Sequence, residues 1–136
     1  MVYVDNDPVV LVHADALLAG DATVAVLLVA ILHFLTDEDH PAAIVGRLRE
    51  AMAPGSYLVI SHGTADFAPE LSARAAGVYD RARAPLVTRG RAEVMRFFDG
   101  FDLVDPGLVQ VALWRPDGPI PDNPAWIYGG VGHRRR

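Results

Sequence analysis

The sequence contains neither cysteine nor lysine. Without cysteine there is no disulfide framework, no thiolate nucleophile and no cysteine-based zinc site, a usage that fits the cytoplasm. Without lysine there is no Tyr-x-x-x-Lys pair. With no dinucleotide fingerprint either, an NAD-dependent oxidoreductase is set aside. Long apolar runs are scarce. The run at residues 24–32 holds nine residues, against about 20 for a membrane-spanning helix. Positive charge is in the minority: 12 arginines face 17 acidic residues, a net charge of −5. That balance argues against nucleic acid as a partner, because phosphate binding leans on clustered cations. Arg134, Arg135 and Arg136 read as a solvated terminus. Asp5 and Asp7 stand where a signal peptide would be positive, so neither export nor a membrane is expected. What remains is 136 residues, 51% hydrophobic and 21% charged, enough for one folded domain over 1–136.

The chain alternates. Residues 2–4 form a short β-prone run, closed by Asp5-Asn6-Asp7-Pro8. Asp7 suits a helix N-cap and Pro8 a first helical position, predicting a helix to about Leu18. The Val-rich run 24–32 reads as a central parallel strand buried on both faces. A polar loop over 33–40 follows, and Pro41 opens a helix whose apolar stripe is Ile44, Leu48 and Met52, with Val45 beside it. Pro54-Gly55 ends it, and 57–60 is another buried strand. A helix is expected from Pro69 to about Pro85, and a short one over 91–98, which Gly90 can cap and whose positive dipole end Glu93 suits. Strands over 101–104 and 108–114 flank the turn Asp105-Pro106-Gly107, and 126–131 is a final strand, paired as a hairpin. This order predicts an α/β sheet with a parallel centre and an antiparallel strand at the C-terminal end.

Asp5 is the most informative position. Ligands of open α/β sheets bind at the carboxyl ends of the strands, and a carboxylate there can accept both hydroxyls of a ribose. Spacing alone leaves a loop or capping role equally open. His33 and His62 each follow a strand; either could serve as a base, although a histidine there is more often a structural hydrogen-bonder. Asp37, Glu38, Asp39 and His40 read as a solvated loop favouring the next helix N-terminus, and no metal site is expected. Tyr79, Trp114, Trp126 and Tyr128 are read chiefly as core or rim residues, with a substrate pocket as the alternative.

Several segments together carry a resemblance. Val-Tyr-Val-Asp-Asn-Asp-Pro-Val-Val-Leu (2–11), Val-Ala-Ile-Leu-His-Phe-Leu-Thr-Asp-Glu-Asp (29–39) and Ala-Pro-Gly-Ser-Tyr-Leu-Val-Ile-Ser-His (53–62) resemble the second, fourth and fifth strands of class I methyltransferases. The tail, with Arg91-Ala-Glu-Val-Met-Arg-Phe-Phe-Asp-Gly and Pro-Ala-Trp-Ile-Tyr-Gly-Gly-Val-Gly, resembles one bacterial family of S-adenosyl methyltransferases first catalogued as a domain of unknown function. The resemblance implies a Rossmann-like fold, S-adenosylmethionine as cofactor and a small-molecule methyl acceptor. It makes Asp5 the ribose-binding acid and places Asn6 beside the adenosine. Leu32, His33 and Phe34 would line the floor near the cofactor's methionine part or the substrate.

Two departures from that pattern stand out. The first strand and its Gly-rich turn, expected before Asp5, are missing; Gly129-Gly130-Val131-Gly132 lies in the last strand and does not replace them. Gly20-Asp21-Ala22-Thr23 joins the first helix directly to the strand at Val24, leaving no room for the third strand. Of the family's strand order 3-2-1-4-5-7-6, strands 1 and 3 are therefore expected to be lacking. The expectation is an N-terminally truncated domain, which the lack of the Gly-rich cofactor turn could leave inactive, with the run 2–4 expected to pair directly with the strand at 24–31. The alternative is a non-catalytic module that forms a homodimer through its open sheet edge.

Overall fold

The computed structural model describes residues 22–70, 74, 86–122 and 125–135. Five strands form one sheet in the order β1-β2-β5-β3, with β4 also on β5. β1 (Ala25–Val29) pairs in parallel with β2 (Tyr57–Gly63) through α1 (Pro41–Ala51). β5 (Ile127–His133) runs antiparallel to β2 over seven residue pairs, from Tyr57 opposite His133 to Gly63 opposite Ile127. β3 (Asp102–Leu103) and β4 (Val109–Gln110) lie in tandem along the far edge of β5. The turn at 104–108 separates them, and Gly107 takes its positive φ of +87°. The hairpin of β4 and β5 is as read from the sequence.

α1 and α2 (Arg91–Arg96) close over one face. Val26, Leu28, Leu58 and Ile60 of the sheet share a core with Val45, Leu48 and Met52 of α1 and Val94, Phe97 and Phe98 beside α2. Val45, Leu48 and Met52 lie at i, i+3 and i+7, the spacing of one helix face. The buried stripe is thus rotated from the predicted one, since Ile44 is half-buried.

β1 corrects the sequence reading in two ways. It is shorter than the run 24–32 and ends at Val29, because Ala30 turns left-handed (φ +56°) and Leu32–Phe34 form a 3-10 turn. It is also buried on one face only: Val26 and Leu28 point to the core, while Leu27 and Val29 are 53% and 51% exposed. A run apolar at every position hides the two-residue period of the pleat. The strand expected over 108–114 likewise stops at Gln110, where a 3-10 turn, Val111–Leu113, replaces it. Strand 101–104 contracts to two residues, helix 91–98 ends at Arg96, and the last strand reaches His133. The strand at 2–4, its expected pairing with 24–31 and most of the helix expected over 69–85 lie outside the described residues. Among the described residues, no helix is long and apolar enough to cross a membrane.

Candidate functional site

The parallel pair brings the carboxyl ends of β1 and β2 side by side, the location where open α/β sheets bind ligands. Two serines tie the pair together, one at each end of β1, and the second sets this rim. The Ser56 hydroxyl accepts the Val24 amide at the entry of β1 (3.1 Å), and the Ser61 hydroxyl accepts the Ala30 amide at its exit (2.9 Å). The left-handed residue at Ala30 is therefore anchored, and it throws the chain into the turn Leu32–Phe34.

His33 and His62 meet at this rim, with ring centroids 5.7 Å apart and the rings edge to face. The His33 Nδ1 accepts the Gly63 amide (3.1 Å). An amide only donates, so neutral His33 carries its proton on Nε2 and offers a donor there. Burial lowers its pKa. His62 is fully buried. Its Nδ1 lies 2.7 Å from the Gly63 carbonyl and its Nε2 lies 3.2 Å from Nη1 of Arg89. A guanidinium only donates, so Nδ1 carries the proton and Nε2 accepts. Both nitrogens of His62 are thus engaged within the protein. Burial, aided by the Arg89 charge, holds its pKa at about 4 against the ordinary 6.5.

Arg89 is the residue that sequence reasoning missed. Only 5% exposed, it donates to the Leu32 carbonyl (3.2 Å), the Leu35 carbonyl (3.1 Å) and the Asp37 carboxylate (2.7 Å). A buried arginine paired with distant carbonyls leaves no periodic mark in a sequence. Its one local hint is its place just before the Gly90 cap. The other members of the predicted set are scattered. Leu32 is at the rim, but its side chain belongs to the core. Phe34 is half-buried, with its ring 4.5 Å from that of His33. Asp5, Asn6 and Tyr79 lie outside the described residues. Tyr128 is core, as expected, and Trp114 and Trp126 are half-buried.

Beyond Arg89 opens a cleft of about 420 Å³ between the start of α1 and α2, lined by Asp37, His40, Pro41, Arg89, Arg96 and Phe97. Asp37, Glu38 and Asp39 form a 3-10 turn, in which the Asp39 carboxylate accepts the Thr36 amide and hydroxyl (2.7 and 2.9 Å). Among the described residues, no group of three histidine or carboxylate side chains could hold a metal ion.

After β2 the chain turns at Asp66, whose carboxylate accepts the Arg91 amide at the start of α2 (2.9 Å) and the Tyr128 hydroxyl (2.8 Å). Glu93 returns to the Gly90 amide (2.9 Å), a capping contact beyond the dipole role expected of it, with Gly90 at the N-cap as read. Asp66→Ala is expected to cost about 1 kcal/mol, for one lost cap and one hydroxyl left without its partner. A urea midpoint measured beside that of Asp66→Asn checks this, and equal midpoints for Asp66→Ala and the parent refute it.

An α/β sheet in which an antiparallel last strand is inserted between β2 and the edge reproduces the 4-5-7-6 end of the methyltransferase order. Residues 21–135 match the S-adenosyl methyltransferase family model, and the chain belongs to that family. A DUF574-family protein of known structure from Streptomyces avermitilis is 37% identical, with a TM-score of 0.83 over 97% of this chain and 54% of its own. A methyltransferase candidate from Thermobifida fusca is 31% identical, with a TM-score of 0.78 over 98% of this chain and 62% of its own. This chain thus spans less than two thirds of the length of either. An O-methyltransferase family protein from Burkholderia thailandensis, 16% identical over 89% of this chain and 33% of its own, shares the fold with a TM-score of 0.59. No curated protein matches the chain.

Proposed function

We propose that this chain binds S-adenosylmethionine at the rim of β1 and β2 and serves methyl transfer to a small-molecule acceptor. The observation that carries the reading is the turn Leu32–Phe34. It is bonded to the end of β2 through His33 and Gly63, in a chain of this family. The residues suit the cofactor in kind. A phenyl ring favours a sulfonium cation by its quadrupole, and the Nε2–H of His33 suits a carboxylate. Asp5 and Asn6 are assigned to the ribose and adenosine; Leu32 contributes backbone more than side chain.

The bound cofactor supplies an electrophilic methyl group. The chain's task is then alignment of the acceptor and exclusion of water more than bond chemistry. His33 acts here as a donor and orienter, because its Nδ1 is committed to Gly63. His62, with both nitrogens engaged, shapes the rim without meeting substrate.

Titration calorimetry of the full chain with S-adenosylhomocysteine tests the reading. Binding by the parent is expected, with Phe34→Ala and Asp5→Ala each weaker by roughly tenfold, about 1.4 kcal/mol. A folded parent chain that gives no binding heat at millimolar ligand ends the proposal. A second reading, a homodimer, rests on the exposed Leu27 and Val29 of β1. A monomer mass at every concentration in sedimentation removes it.

A further inference from the structure

The turn Leu32–Phe34 has little to hold it by itself. Its own backbone bonds are Phe34 to Ile31 (3.0 Å) and Leu35 to Leu32 (3.2 Å), and a single 3-10 turn is a weak element. Beyond the bond from the Gly63 amide to His33, what fixes it comes from the segment just before α2. The Val87 amide donates to the His33 carbonyl (2.7 Å), the Arg89 amide to the Gly63 carbonyl (3.3 Å), and the Arg89 side chain to Leu32, Leu35 and His62.

We infer that Arg89 is a positioning residue, which sets the turn bearing His33 and Phe34 against the end of β2 by gripping two turn carbonyls and the His62 ring with one guanidinium. Its functional meaning rests on the cofactor reading above; its geometry does not. Arg89 reaches across 57 residues to Leu32 and 27 to His62, so it joins three stretches of chain at one point.

The acceptors are of unequal weight. Asp37 supplies the counter-charge, but its side chain is 89% exposed, where water screens the pair. The Leu32 carbonyl and His62 are bonded in buried surroundings. Each would be left without this donor if the guanidinium were lost, and a buried acceptor without a donor is costly. The hold therefore resides in the neutral acceptors, and the ion pair is secondary. Lysine cannot substitute. An ammonium on a flexible stem lacks the planar fork that reaches carbonyls on one side and an imidazole on the other.

The test uses the full chain and three readouts: ring nitrogen shifts of His33 and His62, the Gly63 amide shift, and the Kd for S-adenosylhomocysteine. Variants are compared where circular dichroism shows each to be folded. In the parent chain, His62 is expected as a single tautomer protonated at Nδ1. The Arg89 guanidinium protons should exchange slowly and show through-space contacts to the His62 ring. Arg89→Lys should lose the single tautomer, move the Gly63 amide and weaken binding at least tenfold. Asp37→Asn should stay within twofold of the parent on binding and leave both rings unchanged.

A folded Arg89→Lys chain with parental ring and Gly63 signals overturns the inference. So do fast-exchanging guanidinium protons in the parent, a measurement that needs no variant to fold. A loss of binding in Asp37→Asn as large as in Arg89→Lys also overturns it, because the ion pair would then be the grip. If the parent binds no S-adenosylhomocysteine, the cofactor reading fails, and the ring and amide signals still decide the role of Arg89.

Discussion

Acidification from about pH 7 to about pH 4 is expected to remove roughly 3 kcal/mol of folding stability through His62 alone. The folded chain holds this imidazole neutral down to about 4, mainly by burial, whereas the unfolded chain protonates it near 6.5. The folded pKa lies below the unfolded one. The stabilisation is therefore complete above about 6.5 and shrinks as pH falls, because the unfolded state takes up the proton first. Below about 4 both states are protonated and the loss levels off. The loss is large beside the 5–15 kcal/mol typical of a folded domain. His33, whose pKa burial also lowers, adds in the same direction. His62→Gln isolates the larger share. A glutamine has a donor for the Gly63 carbonyl and an acceptor for Arg89, yet does not titrate. Urea unfolding across this pH range should give a shallower acid loss for His62→Gln than for the parent. Parallel curves would show that His62 is already protonated in the native state or is not buried as described.

How much of this was legible in advance follows from what kind of force makes each feature. The helix at Pro41 was, because a first-position proline and an apolar stripe are local signals. The place of β2 was legible too, although it runs to Gly63 rather than Ile60 and leaves Tyr57 exposed, as were the β4–β5 hairpin and the Gly90 cap. The two histidines could be placed at strand ends, and parallel pairing then brings such ends together. Tertiary choices were not legible. No local rule sends β5 between β2 and β3; only the resemblance supplied that order. Nor does composition show that Leu27 and Val29 face outward, because both faces of β1 are equally apolar. The left-handed Ala30 ends the strand with no glycine or asparagine to announce it. Arg89 was invisible because its partners are backbone carbonyls, which every residue has. The assignment of the ribose side of the cofactor to Asp5 and Asn6 comes from the resemblance, and both lie outside the described residues.

The glycines of the last strand show how a feature dismissed for one role carries another, and they lead to a prediction with a sharp contrast of sign. Gly130 and Gly132 alternate with Val131 along β5, so they share one face of the pleat. A Cβ on Gly132 would stand 2.8 Å from the Phe101 Cβ and 2.9 Å from Phe98 Cδ1; on Gly130 it would stand 3.0 Å from Phe98 Cζ. The bare backbone is what lets the Phe98 ring, 3% exposed, lie against the strand. Gly132→Ala must push the ring or bend the strand, and such overpacking costs about 1–3 kcal/mol, more than the gain from restricting the unfolded chain. Gly132→Val adds two further methyl groups to the same contact and is expected at or above the top of that range. Gly46, inside α1, is the internal control, because a Cβ there meets nothing within 4 Å. Gly46→Ala is expected to stabilise by about 0.5–1 kcal/mol through helix propensity alone. Phe98→Leu should recover part of the Gly132→Ala loss, whereas independent sites would simply add. Urea midpoints decide the matter: a neutral or stabilising Gly132→Ala would mean that Phe98 and Phe101 do not press on β5 and that its glycines serve something other than packing.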